Sequence, residues 1–208
     1  TLVDPEAHPG GVCLYRGCIP SKALLHVTSF LHEIGEADAW GVKVGEPDVD
    51  IGQLRSWKHS VVKKLTGGLG QLAKQRNIDY VRGRARLTGA HEAVLAPSEG
   101  DEREIRFEHA VVATGSRPGT IPGLPDSERI MTSREALDLA DVPERLLVIG
   151  AGYIGLELGQ VYASLGSSVT VVEMLPEILP GADRELVRFL SRRLEKEFED
   201  ILLETKVK

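Results

Sequence analysis

The sequence predicts an α/β protein made of two Rossmann-like units. Three observations carry this expectation. From Leu146 onward, strand and helix patterns alternate in regular order. A glycine-rich turn joins the first of those strands to the first of those helices. The earlier half combines two long helical patterns with several short alternating runs and ends in a Pro/Gly-rich connector. The expected domains are residues 1–141, including that connector, and residues 142–208.

In chain order, TLVD reads as the tail of an apolar strand with no initiator Met. After Pro20, which suits a first helical turn, residues 21–34 carry Leu24, Leu25, Phe30, Leu31 and Ile34 at helical spacing. A second helix is expected over residues 51–76, weakened in its middle by Gly67, Gly68 and Gly70. Residues 78–81 read as a strand, and residues 85–87, 93–96 and 105–107 as an antiparallel meander. Residues 109–115 (HAVVATG) read as a short buried strand that opens into the connector. Strands at 146–149 and 168–172, with helices at 154–165 and 184–197, predict a parallel sheet with right-handed crossovers. The closing ILLETKVK reads as a strand just beginning, so both ends look cut.

Composition bounds the function. The chain has 208 residues, 42% of them hydrophobic, which is enough for buried cores. A net charge of −6 with no long basic run argues against nucleic acid as the partner. No apolar run approaches the roughly 20 residues that span a bilayer, and no signal-peptide pattern opens the chain. The expectation is a soluble, cytoplasmic protein with no membrane partner. Six scattered histidines lack paired metal-ligand spacing, so no metal site is expected.

LLVIGAGYIGLELG places Gly150, Gly152 and Gly155 in GxGxxG register, with Ala151, Tyr153 and Ile154 between them. Gly150 allows a tight turn and Gly152 lets the backbone approach a pyrophosphate. Gly155 permits helix-to-strand packing, and the helix N-terminus offers N–H groups to the anion. Such a motif alone is weak, but VTVVE ends in Glu173, 18 residues after Gly155, near the separation of an acid that binds a ribose 2′-hydroxyl. A carboxylate there repels a 2′-phosphate, and Met174, Leu175 and Pro176 supply no basic replacement. The pattern favours NAD over NADP. The bland alternative is a tight turn with an incidental acid.

GGVCLYRGCIPSK, from Gly10 to Lys22, holds the only two cysteines, Cys13 and Cys18. Cys18 lies just before a predicted helix, whose N–H groups and dipole stabilise a thiolate, and Lys22 adds positive charge. Two adjacent thiols, one lowered in pKa, are what dithiol exchange requires. The spacing alone leaves a redox pair and an inert packed pair equally open.

This segment resembles the active-site stretch of the flavoprotein disulfide reductases, and GCIPSKALLH is most similar to the dihydrolipoamide dehydrogenases among them. TLVD, TGGLG, ATGSRP, the glycine fingerprint and VVEMLPEILPGAD fit the same family in order. The resemblance implies an FAD-binding unit followed by an NAD-binding unit, each incomplete here. It implies oxidation of dihydrolipoamide by NAD+ through FAD and a redox-active disulfide. Cys13 matches the interchange thiol, Cys18 the sulfur against the flavin, Lys22 a lysine near the flavin and Glu157 the acid that pairs with it. Glu157 has a bland alternative as an exposed helix glutamate. For FAD, Asp4 matches a ribose-binding acid, Gly10, Gly11, Val12 and Cys13 run along the dinucleotide, and Ala85 matches an adenine-reading position. Thr114, Gly115 and Ser116 match a strand end that returns to the flavin, although turn chemistry ahead of Pro118 also accounts for Ser116.

The implied partners are a free or protein-bound dihydrolipoyl substrate, a second subunit in a homodimer, and 2-oxoacid dehydrogenase complex subunits. Tyr15 and Arg16 stand where the family usually has Asn-Val, and Tyr153 resembles glutathione reductases more than dihydrolipoamide dehydrogenases. The family's first GxGxxG is expected upstream of TLVD and its catalytic His-Glu pair beyond Lys208, so the chain alone is expected to be inactive. Another disulfide or mercuric reductase, or a non-catalytic NAD-binding module, remains the alternative reading.

Overall fold

The computed structural model describes residues 1–207 of a mixed α/β chain. These residues divide into two compact units, one of Thr1–Ile19 with His59–Arg117, the other of Pro20–Lys58 with the residues from Pro118 onward. Three helices occupy the first part of the sequence: α1 (Gly11–Arg16), α2 (Cys18–Glu36) and α3 (Ile51–Gln75). Helix α2 begins at Cys18, three residues before the expected start, because Pro20 falls within its first turn, where a missing N–H costs nothing. The glycines at 67, 68 and 70 do not interrupt α3.

In the first unit, strand β1 (Leu2–Asp4) runs parallel to β2 (Tyr80–Gly89), with Leu2 opposite Tyr80 and Asp4 opposite Arg82. The antiparallel strands β3 (Glu92–Pro97) and β4 (Arg103–Arg106) complete a sheet of order β1-β2-β3-β4. The separate runs expected at 78–81 and 85–87 form one strand because β2 serves two partners. Its first three residues pair with β1 and those from Gly83 pair with β3. Val81, Ala93 and Leu95 are buried in this unit.

Residues 109–115 are not a strand, contrary to the sequence pattern. No strand among the described residues pairs with them, and an apolar run without a ladder partner has no sheet to be buried in. Val111 is accordingly 93% exposed.

The second unit matches the expected alternation. A short helix, α4 (Ser133–Asp138), precedes β5 (Arg145–Ile149), α5 (Tyr153–Ser164), β6 (Ser168–Val172), α6 (Arg184–Glu197) and β7 (Asp200–Leu202). The three strands are parallel in the order β5-β6-β7, Leu146 facing Val169 and Val171 facing Ile201. Leu156, Val161, Tyr162, Val169, Val171 and Leu194 form its buried core, joined by Leu24 and Leu54. Helix starts follow local chemistry. Thr132 and Glu135 make a capping box on α4, and Asp183 accepts from the Glu185 N–H to start α6. Lys58 is buried and donates to the Leu137 carbonyl, while Arg55 reaches the Asp138 carboxylate at 3.0 Å, so two cations close the C-terminal end of α4.

The Tyr162 hydroxyl, 3.0 Å from the Ala136 carbonyl, ties α5 to α4. Burial, then the charges of Asp141 and Asp138, push its pKa up to about 12. A folded-state pKa above the unfolded value near 10 means that the native state holds the proton longer. The stability is therefore complete below pH 10 and lost between pH 10 and about 12. The loss attributable to Tyr162 is on the order of 2 kcal/mol. Tyr162→Phe should cost about 1 kcal/mol at pH 7 and flatten this alkaline slope, measured by urea unfolding across pH. An unchanged slope would show that the hydroxyl stays protonated for no reason linked to folding. Lys58, whose pKa burial lowers, acts in the opposite direction and is common to both proteins.

Candidate redox and nucleotide sites

Cys13 is the third residue of α1 and Cys18 the first of α2. Gly17 breaks the helix between them with φ −145° and ψ −118°. Both cysteines are exposed. Within the same unit, the FAD-type candidates converge in part. A Cβ placed on Gly115, whose φ is +72°, would stand 3.2 Å from Val12 Cγ2, so Gly115 lies directly on the segment Gly10–Val12. Asp4 ends β1 and its Oδ1 accepts the Glu6 N–H at 2.8 Å. Ala85 lies farther along β2, opposite Leu95. Thr114 and Ser116 flank Gly115 and are exposed.

Sequence reasoning missed Glu6, His8 and Tyr80. The Tyr80 hydroxyl donates to the Glu6 carbonyl at 2.8 Å, and its pKa is pushed up to about 12 by burial and by the charges around Asp4. A contact spanning 74 residues leaves no signal in local pattern.

In the second unit, Lys22 of α2 and Glu157 of α5 form an ion pair, Nζ to Oε1 2.5 Å, with side chains 59% and 27% exposed. At such exposure the pair is worth no more than about 1 kcal/mol of stability. Its value is placement of charge.

The glycine turn of this unit has three distinct parts. Gly150 takes φ +104°, a left-handed conformation that favours glycine, while its N–H donates to the Val172 carbonyl at 2.8 Å. Gly152 is the extended N-cap of α5, no side chain caps that end, and a Cβ on it would meet nothing within 4 Å. Gly155 is the opposite case: a Cβ there would stand 2.3 Å from the Gly150 carbonyl oxygen. Ala151 is buried, whereas Tyr153 and Ile154 are exposed.

Glu173 closes on the same turn. Its Oε2 accepts the Ala151 N–H at 2.8 Å and its Oε1 the Leu175 N–H at 2.9 Å. Burial pushes its carboxyl up, but backbone hydrogen bonds from Leu175, Ala151 and Met174 together outweigh that and hold it below the usual range. The result is an ionised acid fixed at the mouth of an open, amide-lined turn.

The family model of the pyridine nucleotide-disulphide oxidoreductases matches residues 1–208. The chain belongs to this family. Among similar proteins, a dihydrolipoyl dehydrogenase of Vibrio parahaemolyticus is 47% identical over 99% of this chain and 43% of its own length. One of Haloferax volcanii is 46% identical over 94% of this chain and 42% of its own. The crystal structure of LpdA from Mycobacterium tuberculosis superposes with a TM-score of 0.86 over 98% of this chain and 45% of that one, at 24% identity, which supports the fold alone. The chain thus spans about 43% of the length of such family members.

Among the described residues no helix is long and apolar enough to cross a membrane, and no cluster of three or more His, Cys, Asp or Glu could hold a metal.

Proposed function

We propose that this chain carries the redox pair and part of both nucleotide sites of a cytoplasmic, homodimeric dihydrolipoyl dehydrogenase. The observation that carries the reading is the exposed cysteine pair, with Cys13 and Cys18 on either side of the break at Gly17. The names of the similar proteins favour dihydrolipoamide over other dithiols. Residues 1–141 serve FAD and residues 142–208 serve NAD, and the whole protein serves 2-oxoacid dehydrogenase complexes.

A substrate thiolate attacks the Cys13 sulfur of the disulfide, and Cys18 leaves as a thiolate. The second substrate sulfur then displaces Cys13, so lipoamide forms and two electrons remain on the dithiol. The chemistry that FAD would supply is onward transfer of those two electrons to NAD+. The residues that would hold it are Asp4, Gly10, Gly11, Val12, Cys13, Lys22, Ala85 and Thr114 to Ser116. The left-handed Gly115 against Val12 fits a backbone cradle in which a larger residue at 115 would intrude. The Lys22–Glu157 pair would hold positive charge near the flavin. NAD would lie on Gly150, Ala151, Gly152, Tyr153, Ile154 and Gly155. The open space beside Gly152 would admit the pyrophosphate, and the Glu173 carboxylate, which accepts the Ala151 N–H, would also accept from a ribose hydroxyl.

A substrate panel on the full-length, FAD-loaded protein tests this reading. Dihydrolipoamide with NAD+ should outpace glutathione, mercuric ion or NADP-linked reactions by at least about a hundredfold, a difference of roughly 3 kcal/mol. Glu173→Gln should raise the KM for NAD+ about tenfold, the loss of one charged hydrogen bond, and narrow the preference over NADP+. Faster NADPH-linked turnover of another disulfide or of mercuric ion would overturn the assignment.

A further inference from the structure

Tyr15 and Arg16, the residues between the cysteines that depart from the family's usual Asn-Val, are the last two of α1. Both reach back to the loop after β1. The Arg16 guanidinium donates to the Glu6 carboxylate, with side chains 36% and 25% exposed. The Tyr15 hydroxyl donates to the His8 carbonyl at 3.0 Å, and the guanidinium carbon of Arg16 stands 5.9 Å from the Tyr15 ring centre. That loop is itself fixed. Tyr80 donates to the Glu6 carbonyl at 2.8 Å, and the Arg82 side chain to the Pro5 carbonyl at 3.3 Å. The His8 ring sits so close to α3 that a Cβ on Gly70 would fall 2.6 Å from its Nδ1.

Beyond Arg16 comes Gly17, where a Cβ would lie 3.0 Å from the Val12 carbonyl oxygen and 3.3 Å from Cys13 Cα. The chain therefore turns tightly between the cysteines, and the side of the turn that carries Cys13 is tied down.

We infer that the Glu6–Arg16 ion pair, seconded by the Tyr15–His8 bond, is a brace that positions Cys13 for closure with Cys18 and so sets the stability of their disulfide. Opening the disulfide frees α1 to rotate about Gly17, and the brace removes most of that freedom. Holding two thiols near each other raises their effective concentration and favours the bond. Loss of the brace therefore favours the dithiol. The inference rests on the reading of Cys13 and Cys18 as a redox pair, and it concerns their mutual equilibrium only.

Loss of such a partly exposed ion pair is expected to shift the disulfide equilibrium about fourfold, or about 18 mV for a two-electron couple. The direction separates a brace from an electrostatic effect. Removing the Glu6 charge favours a nearby thiolate and removing the Arg16 charge disfavours it, so electrostatics alone moves the two variants apart. A brace moves both the same way.

The test equilibrates full-length, FAD-loaded protein anaerobically with mixtures of reduced and oxidised dithiothreitol. The reagent dithiol closes to its cyclic disulfide, giving two electrons and two protons as the Cys13–Cys18 bond opens to two thiols. Acid quenching, alkylation and mass analysis of the Cys13–Cys18 peptide then read the ratio. Glu6→Gln and Arg16→Met should each shift it about fourfold toward dithiol, the double variant no further than either single one, and Arg16→Lys should restore most of the wild-type value. Shifts in opposite directions, multiplicative effects in the double variant, or ratios equal to wild type would overturn the brace. Should Glu6→Gln fail to fold, the contrast of Arg16→Met with Arg16→Lys decides alone. No lipoamide or nicotinamide enters the measurement, so a wrong substrate assignment leaves it intact. A wild-type pair that never exchanges with dithiothreitol defeats the redox reading itself.

Discussion

Replacing either Cys13 or Cys18 by serine in the full-length, FAD-loaded protein lowers NAD+ reduction by dihydrolipoamide at least about a thousandfold, because a covalent step without its sulfur has no alternative route. The two variants fail differently. With Cys18→Ser, attack on Cys13 has no neighbouring leaving group, and the long-wavelength band expected of a Cys18 thiolate lying against a bound flavin should be absent. With Cys13→Ser, no mixed disulfide with substrate forms. Both cysteines are exposed, so neither substitution opens a core cavity, and thermal unfolding should stay within about 0.5 kcal/mol of the wild type with its cysteines reduced. Steady-state rates, spectra and melting curves check the three statements together. Serine variants that keep more than a tenth of the activity would remove the dithiol from the mechanism.

Gly155→Ala and Gly152→Ala separate the two uses of glycine in the nucleotide turn. At Gly155 the added carbon would stand 2.3 Å from the Gly150 carbonyl oxygen and 3.1 Å from Val148 Cγ1. Backbone must move, and α5 must lift from β5. The expected cost is about 3–5 kcal/mol, in the range of severe overpacking, a large share of a domain's total stability. At Gly152 the added carbon meets nothing within 4 Å, and φ of −76° suits any residue. That variant should melt like wild type yet bind NAD+ at least tenfold more weakly, because the methyl group occupies the space where the pyrophosphate must come close. Melting curves with NAD+ titration calorimetry on the full-length protein measure both effects. If Gly152→Ala binds NAD+ normally, the turn does not hold the pyrophosphate.

These contrasts show what could be read from the sequence. The second unit was legible because its signals are local: an apolar strand, three glycines at fixed spacing and an acid at the next strand end. β5, α5, β6 and α6 accordingly lie within a residue or so of the expected ranges. The close approach at Gly155 follows from the motif's own geometry.

Three features were not legible, each for a physical reason. HAVVATG has the composition of a buried strand, but strand formation depends on a neighbour, and none among the described residues supplies one. The division into compact units follows tertiary contact, which places α2 beyond Ile19 in the second unit and the residues of α3 from His59 in the first. The ties of Glu6 to Arg16 and Tyr80 join residues 10 and 74 positions apart, beyond any periodicity. Tyr15 and Arg16 were visible only as a departure from a family pattern; the structure gives them partners.

The central claim is that Cys13 and Cys18 are the two-electron acceptor for a dithiol substrate. Its most direct test mixes oxidised, full-length, FAD-loaded protein with one equivalent of dihydrolipoamide, without NAD+ or oxygen, followed by acid quenching and alkylation. The account predicts that the disulfide-linked Cys13–Cys18 peptide disappears, that both cysteines become alkylated, and that one equivalent of lipoamide forms. Lipoamide formation with the alkylation state of Cys13 and Cys18 unchanged would contradict it.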